Sequence, residues 1–202
     1  MNNDKITEYQ INQVKEFVLR ECIKVGDFIL SSGQKSDYYI DCTPLVTHVM
    51  LRSALAKALN AMAMHSLSNK KTHPVISYLG METRGIPFAM LAANHGGVMF
   101  GILRKKEKNH GIMRVIEHTD KFVNAVLFED IITTGNTIKI SLEKAKDRLR
   151  VYSIICIANR NDLKDIDGVP IYSMISDNEL KGMIQYHKNV YPTQKININT
   201  VL

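Results

Sequence analysis

The pattern of apolar and polar positions divides the chain near residue 70. Before it, apolar positions recur at helical spacing over residues 7–24 and 51–67, which predicts two helices with one apolar face each. Between these segments, Phe28–Leu30 and Tyr38–Asp41 flank a polar turn that contains Gly33, which is typical of a β-hairpin. The first part of the chain therefore predicts a helix and a hairpin, followed by a second helix.

After residue 70, short runs of consecutive apolar residues are separated by segments in which apolar positions recur at helical spacing. Ser176 and Glu179 have capping-box spacing and open the last predicted helix, which we expect to end near His187. Unbroken apolar strands that alternate with helices are typical of a parallel sheet covered on both faces. The predicted strands are 75–79, 98–103, 125–128, 151–158 and 171–175, and the predicted helices are 86–95, 136–148 and 176–187.

These patterns predict one α/β domain over residues 1–202. The N-terminal helix and hairpin, about residues 1–45, are expected to form a small hood beside a core that spans about residues 70–160. No internal repeat, low-complexity tract or linker divides the sequence. We therefore expect the hood to be an appendage of the core rather than a second domain.

Composition narrows the class of protein. Hydrophobic residues make up 45% and charged residues 23% of the chain, which argues against disorder. No apolar run approaches the roughly 20 residues of a membrane-spanning helix, and we expect no secretion signal. The three cysteines form no Cys-x-x-Cys pair, which argues against a disulfide framework or cysteine-based zinc site and favours a reducing cytoplasm. The net charge of +6 leaves nucleic acid, a membrane surface and phosphorylated small molecules open as partners.

The stretch Val126–Ile138 combines an apolar strand, two acids and a hydroxyl-rich turn. The strand ends at Glu129 and Asp130, and Thr133-Thr-Gly-Asn-Thr137 then leads into a predicted helix. Backbone N–H groups and hydroxyls at a helix N-terminus bind anions, and Gly135 lets the backbone approach a phosphate closely. The two carboxylates would repel that phosphate unless the ligand also carries hydroxyls or a hydrated metal ion, as a ribose 5-phosphate does. The alternative is a plain strand end followed by a helix cap.

A second stretch carries a high density of basic residues directly after a predicted strand. Arg104-Lys-Lys-Glu-Lys-Asn-His110 opens a loop, here termed the lid, of about 20 residues with few apolar positions. Loops of this length within a compact domain are usually functional, and cations on such a loop can neutralise a leaving pyrophosphate while excluding water. The alternative is a solvated basic loop between two strands.

Both stretches resemble segments of known enzymes. Val126–Ile138 is similar to the phosphoribosyl-pyrophosphate signature of type I phosphoribosyltransferases. Arg-Lys-x-x-Lys-x-His-Gly at 104–111 resembles the catalytic loop of the orotate phosphoribosyltransferase family in particular. Three further segments resemble that family in the same order and spacing, namely the hairpin at 28–41, the pyrophosphate loop at 80–87 and the pair Asn159-Arg160. The chain departs from the pattern at Ser31 and Asn159, where many members have Lys and Asp.

The resemblance implies a type I phosphoribosyltransferase fold, with a central, mainly parallel sheet flanked by helices and an N-terminal hood of helix and hairpin. It implies transfer of the phosphoribosyl group from 5-phosphoribosyl 1-pyrophosphate to orotate, which gives orotidine 5′-monophosphate and pyrophosphate in de novo UMP biosynthesis. Catalytic roles would fall on Lys108, Glu129 and Asp130. The residues implied in binding phosphoribosyl pyrophosphate are Thr83, Arg84, Arg104, Lys105, Lys108, His110, Glu129, Asp130, Ile131, Ile132, Thr133, Thr134, Gly135, Asn136 and Thr137. Those implied in binding orotate are Tyr39, Ile40, Thr133 and Arg160.

The resemblance also implies a cofactor and partners. Mg²⁺ would be held mainly by pyrophosphate and ribose oxygens, without a dedicated protein metal site. The expected assembly is a cytoplasmic homodimer in which the lid of one subunit acts in the site of the other, with no nucleic-acid or membrane partner. Two alternatives stay open: a phosphoribosyltransferase for another nucleobase, and a non-catalytic regulator that senses phosphoribosyl pyrophosphate.

Overall fold

The computed structural model describes residues 3–29, 35–68, 76–105, 115–117, 123–191 and 195–197. Within these ranges the strands are β1 (Ile23–Ile29), β2 (Lys35–Ile40), β3 (Ile76–Met81), β4 (Met99–Leu103), β5 (Ile116–Glu117), β6 (Val123–Ile132), β7 (Leu149–Asn159), β8 (Asp165–Ile166), β9 (Val169–Ile175) and β10 (Lys195–Asn197). The helices are α1 (Asn3–Phe17), α2 (Thr43–Thr47), α3 (Arg52–Leu67), α4 (Gly85–Gly96), α5 (Asn136–Ala145) and α6 (Asp177–Val190). Helix α1 continues into one π-helical turn, Val18–Cys22.

The larger sheet has seven strands in the order β5-β4-β3-β6-β7-β9-β8. The central strands from β4 to β9 are parallel, and the short strands β5 and β8 pair antiparallel at the edges. The chain passes from β3 outward to β4 and then returns to β6 on the other side of β3, so the strand order reverses between β3 and β6. Open parallel sheets bind their ligands at such a reversal, beside the carboxyl ends of the strands.

Helices cover both faces of this sheet, as the unbroken apolar strands predict. Tyr78 and Phe128 point to one face, where their ring centroids lie 5.1 Å apart, and they pack with buried residues of α3, α4 and α6. Leu79 and Leu127 point to the opposite face and pack with Ile138 of α5. Successive strand residues point to opposite faces, so one apolar run supplies both cores. The predicted α/β fold with a mainly parallel, helix-flanked sheet is confirmed.

The hood contains α1 and a second, three-stranded sheet in the order β10-β1-β2. β1 and β2 form the predicted antiparallel hairpin, with Ile23 opposite Ile40. β10 pairs in parallel with β1, so the C-terminal part of the chain returns to the hood. The sequence pattern does not predict β10, because this strand is short and polar and its partner lies near the other end of the chain.

Helix α6 links the hood to the core. Ser176 Oγ accepts a hydrogen bond from the Glu179 N–H, and the Glu179 carboxylate accepts one from the Ser176 N–H, so the predicted capping box is confirmed. The Glu179 carboxylate also lies 2.5 Å from Lys15 Nζ on α1. Farther along α6, Lys188 forms an ion pair with Asp37 of β2. Burial opposes ionisation of Glu179, but the bonds from Lys15 and Ser176 outweigh it and lower the pKa of Glu179 to about 2.

Element boundaries differ from the prediction where partner strands decide them. β6 extends to Ile132 instead of ending near Phe128, because it stays paired with β7 as far as Asn159. Glu129 and Asp130 therefore lie inside the strand rather than at its end. β1 begins at Ile23, five residues before the predicted strand, because it pairs along most of β2. Within the described part of the chain, every helix is too short or too polar to cross a lipid bilayer.

Replacing Glu179 with Gln should lower the free energy of unfolding by about 1 kcal/mol at neutral pH, because Lys15 loses its partner and the helix cap loses its charge. The folded-state pKa lies below the ordinary 4.5, so the stabilisation is present above about pH 4.5 and is lost as the pH falls through about 2. Urea unfolding of both proteins across this pH range measures the difference.

The control variant is Glu143→Gln, which removes an exposed pair with Lys146 and should change stability little. Equal stability of wild type and Glu179→Gln at neutral pH would contradict the role given to this carboxylate.

Candidate active site

A polar cavity of about 170 Å³ lies at the strand-order reversal. Its walls come from the carboxyl-terminal part of β6, the turn that follows it, and the loops after β3 and β4. The lining residues are Arg84, Lys105, Glu129, Asp130, Ile131, Ile132, Thr133, Thr134, Gly135, Asn136, Thr137 and Ile138. The structure thus brings the acid pair and the threonine-rich turn together with Arg84 and Lys105.

The turn after β6 presents backbone N–H groups at the start of α5. Gly135 takes a φ of 72°, a left-handed conformation that other residues rarely adopt, and its carbonyl accepts the first helical hydrogen bond from the Lys139 N–H. The N–H groups of the first helical turn have no carbonyl partner within the helix and carry the positive end of the helix dipole. A phosphate at this end of the cavity would therefore meet hydrogen-bond donors.

Glu129 and Asp130 are half-buried at the edge of the same cavity. Glu129 Oε1 accepts a hydrogen bond from the Asp130 N–H at 3.0 Å, and Asp130 Oδ1 accepts one from the Ile131 N–H at 2.7 Å. Burial, and then the neighbouring Asp130 charge, raise the pKa of Glu129 well above its ordinary value. The pair offers acceptor oxygens for the hydroxyl groups of a ligand in the cavity.

Arg84 faces the acid pair from the loop between β3 and α4. Its guanidinium donates to Thr43 Oγ1 at 2.7 Å and to Asp41 Oδ1 at 3.3 Å, both at the end of the hood hairpin. Partial burial opposes ionisation of Asp41, but hydrogen bonds from the Thr43 hydroxyl and N–H, together with Arg84, outweigh it and lower the pKa of Asp41. Arg84 is therefore a cation held in place by a residue pair that the sequence patterns do not single out.

A second cavity, of about 420 Å³, lies on the other side of Arg84. Thr83 lines this second cavity and not the polar one, whereas Arg84 and Asp130 line both. Its remaining walls are mostly apolar side chains from α2 and the start of α4. Thr83, which the family resemblance places against pyrophosphate, thus lies beside the polar cavity rather than in its wall.

Close packing of α4 against β6 fixes the distance between Arg84 and the acid pair. A Cβ atom at Gly85 would lie 2.0 Å from the carbonyl oxygen of Phe128, so only glycine permits this approach. Arg84 and Glu129 are the chain neighbours of these two residues. The glycine therefore sets how near the cation comes to the carboxylates.

Arg104 lies at the base of the lid and is bound to two carboxylates. Its Nε donates to Glu117 Oε1 at 2.6 Å, and its Nη1 donates to Glu82 Oε1 at 3.1 Å. Glu82 Oε2 also accepts a hydrogen bond from the Lys105 N–H at 3.1 Å. Arg104 does not line the polar cavity, whereas Lys105 does. Two other expected site residues, Lys108 and His110, lie outside the described residues, as does Ser31 of the hairpin.

Arg160 lies at the carboxyl end of β7, next to the turn after β6. Its backbone N–H donates to the Ile132 carbonyl at 2.9 Å. Its guanidinium carbon lies 4.8 Å from the ring centroid of Tyr38, and the same guanidinium donates a hydrogen bond to the Tyr38 hydroxyl. Asn161 Nδ2 donates to the Thr133 carbonyl at 2.8 Å, so the Arg160 segment and the Thr133 turn are directly connected.

The remaining residues expected to hold orotate lie on β2. The Tyr39 ring is partly exposed and packs against Phe28, with centroids 5.7 Å apart. Ile40 is buried in the core, so only its backbone is available to a ligand. Asn159 is also buried, and its side-chain amide bonds the carbonyl and N–H of Leu163, which orders the turn after Arg160.

The three cysteine thiols are poor candidates for a nucleophile. Burial, followed by nearby carboxylate charges, raises the pKa of Cys22 to about 12 and raises those of Cys42 and Cys156 well above the ordinary value. A nucleophilic cysteine needs the opposite shift. Among the described residues, no group of three or more His, Cys, Asp or Glu side chains is placed to hold a metal ion.

Comparison with known proteins identifies the family to which this chain belongs. No protein-family model matches the chain. The orotate phosphoribosyltransferase of Pyrococcus furiosus is 30% identical over 176 residues, which cover 83% of this chain and 92% of that relative. The enzyme of the same name from Pyrococcus horikoshii is 32% identical over 139 residues, covering 66% of this chain and 72% of that relative. The crystal structure of orotate phosphoribosyltransferase from Aeropyrum pernix matches with a TM-score of 0.68 at 24% identity, over 87% of this chain and 96% of that one.

The sheet order, the hood and the polar cavity at the strand reversal together define a type I phosphoribosyltransferase fold. Within that class, the chain belongs to the orotate phosphoribosyltransferase family.

Replacing Gly85 with Ala should push α4 away from β6 and cost about 1–3 kcal/mol of stability. Thermal unfolding measures this cost, and the displaced Arg84 should lower the affinity for pyrophosphate in calorimetry. The matched control is Gly182→Ala in the exposed interior of α6, where a new Cβ meets nothing within 4 Å. Removing a helical glycine there should raise stability by about 0.5–1 kcal/mol. Similar effects of the two variants would show that the contact of Gly85 with β6 has no special role.

Proposed function

We propose that this chain is an orotate phosphoribosyltransferase whose polar cavity binds 5-phosphoribosyl 1-pyrophosphate, with orotate between that cavity and the hood. The reaction gives orotidine 5′-monophosphate and pyrophosphate, a step of de novo UMP biosynthesis. The observation that carries the proposal is the polar cavity itself, because one wall offers N–H donors and the next offers paired carboxylates beside Arg84. Membership of the family supports orotate as the acceptor.

The cavity suits a ribose 5-phosphate because its two chemistries lie side by side. Backbone N–H groups and hydroxyls of the turn Thr133–Thr137 would bind the 5′-phosphate at the start of α5. Glu129 and Asp130 would accept hydrogen bonds from the ribose hydroxyls. As the bond to pyrophosphate breaks, positive charge develops on the ribose ring, and the same carboxylates would stabilise it. The transfer needs no protein nucleophile, which agrees with the raised pKa values of the buried thiols.

Cations around the cavity would bind the leaving pyrophosphate. Arg84 and Lys105 already line the cavity. Lys108 and His110 of the lid would complete the set, and Lys108 would stabilise charge as the glycosidic bond breaks. Arg104 would take part by exchanging Glu82 or Glu117 for a phosphate oxygen. The lid would also exclude water, which prevents loss of the activated ribose by hydrolysis.

Orotate would lie between the core and β2 of the hood. The Arg160 guanidinium is a planar, two-pronged donor that suits the orotate carboxylate. Thr133 and the backbone at Tyr39 and Ile40 would hold the ring. This placement brings the base next to the ribose, because Asn161 connects the Arg160 segment to the Thr133 turn.

Mg²⁺ fits the donor set of this site. Asp130 and Glu129 offer carboxylate oxygens at a cavity built for phosphates, and Mg²⁺ is commonly bound by one or two carboxylates, substrate phosphates and water. When bound, the ion would neutralise charge on the pyrophosphate. The pyrophosphate and ribose oxygens would be its main ligands.

The working form that we propose is a homodimer in which the lid of each subunit closes over the site of its partner. We place it in the cytoplasm, because Cys22, Cys42 and Cys156 are all free thiols. Transfer to a different nucleobase is the main competing assignment, and a substrate panel distinguishes it.

Mixing the protein with orotate and phosphoribosyl pyrophosphate should lower the orotate absorbance when Mg²⁺ is present, and much less without it.

Asp130→Asn should reduce kcat/KM by about 10- to 150-fold, which corresponds to about 1.5–3 kcal/mol for a charge-assisted hydrogen bond. Asp147→Asn, at an exposed position in the turn after α5, is the control and should match wild type. Turnover of hypoxanthine or uracil but not orotate would overturn the assignment, and wild-type kinetics for Asp130→Asn would overturn the role of the acid pair.

Active sites shared between subunits predict complementation. Lys108→Ala chains should be nearly inactive and Asp130→Asn chains should keep at most about a tenth of wild-type activity, whereas a mixed dimer contains one site with Asp130 of one chain and Lys108 of the other. Random re-association of equal amounts makes half the dimers mixed, so activity should return to roughly a quarter of wild type. Native mass spectrometry confirms subunit exchange. Confirmed exchange without recovered activity would mean that the lid acts in its own subunit.

A further inference from the structure

Two arginines of the proposed site, Arg84 and Arg160, contact the hood within or just beyond strand β2. Arg84, after β3, donates to Asp41 Oδ1 at 3.3 Å and to Thr43 Oγ1 at 2.7 Å, just beyond the end of β2. Arg160, after β7, donates to the Tyr38 hydroxyl within β2 and lies 4.8 Å above its ring centroid. Since β3 and β7 flank β6, these contacts lie on either side of the strand that carries the acid pair.

The β2 strand is itself held on several sides. It pairs with β1 along its length, and the Asp41 N–H donates to the Cys22 carbonyl at 2.9 Å. Lys188 of α6 forms an ion pair with Asp37, and Ser36 Oγ donates to the Tyr38 carbonyl at 2.7 Å. The backbone at Tyr38 and Asp41 is therefore held in place. Because of this, their side chains can restrain the long, flexible arginine side chains that they contact.

We propose that Tyr38 and Asp41 are positioning residues, which aim Arg160 at the orotate carboxylate and Arg84 at the pyrophosphate. The inference rests on the proposed function and assigns two hood residues to its two substrates. An arginine held on one edge loses less rotamer freedom when a ligand binds its other edge, and guanidinium has enough N–H groups to serve both partners. Tyr38 supplies a ring face and one acceptor to Arg160, and Asp41 with Thr43 supplies two acceptors to Arg84.

The arrangement predicts a crossed pattern, in which each of two substitutions raises the KM for one substrate and leaves the KM for the other nearly unchanged. Tyr38→Phe keeps the ring under Arg160 and removes only the hydroxyl, so the KM for orotate should rise about five- to tenfold. The KM for phosphoribosyl pyrophosphate should stay within about twofold of wild type, because Arg84 keeps its partners. Asp41→Asn keeps an acceptor for Thr43 and removes the charge facing Arg84, so it should give the reverse pattern at similar magnitude.

Steady-state kinetics with each substrate varied in turn, on wild type, Tyr38→Phe and Asp41→Asn, tests this. Tyr186→Phe, at an exposed position on α6, is the matched control. Calorimetry with pyrophosphate and Mg²⁺ gives a readout independent of turnover, in which Asp41→Asn should weaken binding and Tyr38→Phe should not. Thermal unfolding identifies a variant whose fold has changed.

The crossed pattern supports the inference. Equal increases in both KM values for either variant would show that the hood residue is only structural. Unchanged KM values, or tighter pyrophosphate binding in Asp41→Asn, would show that the hood does not aim these arginines. A wild-type protein that fails to convert orotate overturns the proposed function, and this inference with it. A wild-type protein that converts orotate without the crossed pattern overturns this inference alone.

Discussion

The contact between Gly85 and the backbone of β6 is the constraint on which the site depends. It brings the start of α4 to within van der Waals distance of the strand that carries the acid pair, at the point where the strand order reverses. A cation after one strand and two carboxylates on the next then face the same cavity. A substrate that carries both phosphates and hydroxyls satisfies the two groups together, whereas a simple anion or a simple sugar satisfies only one.

Charge balance around the cavity follows from the same geometry. Arg84 is paired with Asp41, and Arg104 is bound between Glu82 and Glu117. Their positive charges are thus partly compensated before any ligand arrives, which keeps the basic side chains ordered instead of mutually repelled. A polyanionic substrate can bind beside these carboxylates or displace them. Before the substrate binds, the carboxylates reduce the electrostatic repulsion between the neighbouring cations.

Local sequence patterns predict the parts of this structure that depend on local interactions. The apolar runs predict the parallel strands, the spacing of Ser176 and Glu179 predicts the capping box, and the turn Thr133–Thr137 predicts the start of α5. Interactions between distant segments have no such signal. Strand β10, the extension of β6 along β7, and the carboxylate partners of Arg104 all depend on segments far apart in the chain. The contacts of Tyr38 and Asp41 with the two arginines also join segments that are far apart in the chain. The sequence signal for them is limited to the alternation along β2, which places Tyr38 on the inward side of the hairpin.

The most direct test of the central claim is a crystal structure of the protein with phosphoribosyl pyrophosphate and Mg²⁺ bound. We expect the 5′-phosphate to lie within hydrogen-bond distance of the backbone N–H groups between Thr134 and Thr137. We also expect the ribose hydroxyls to bind Asp130 and Glu129, with the pyrophosphate against Arg84. A ligand bound elsewhere, or bound with its ribose hydroxyls turned away from both carboxylates, would contradict that claim.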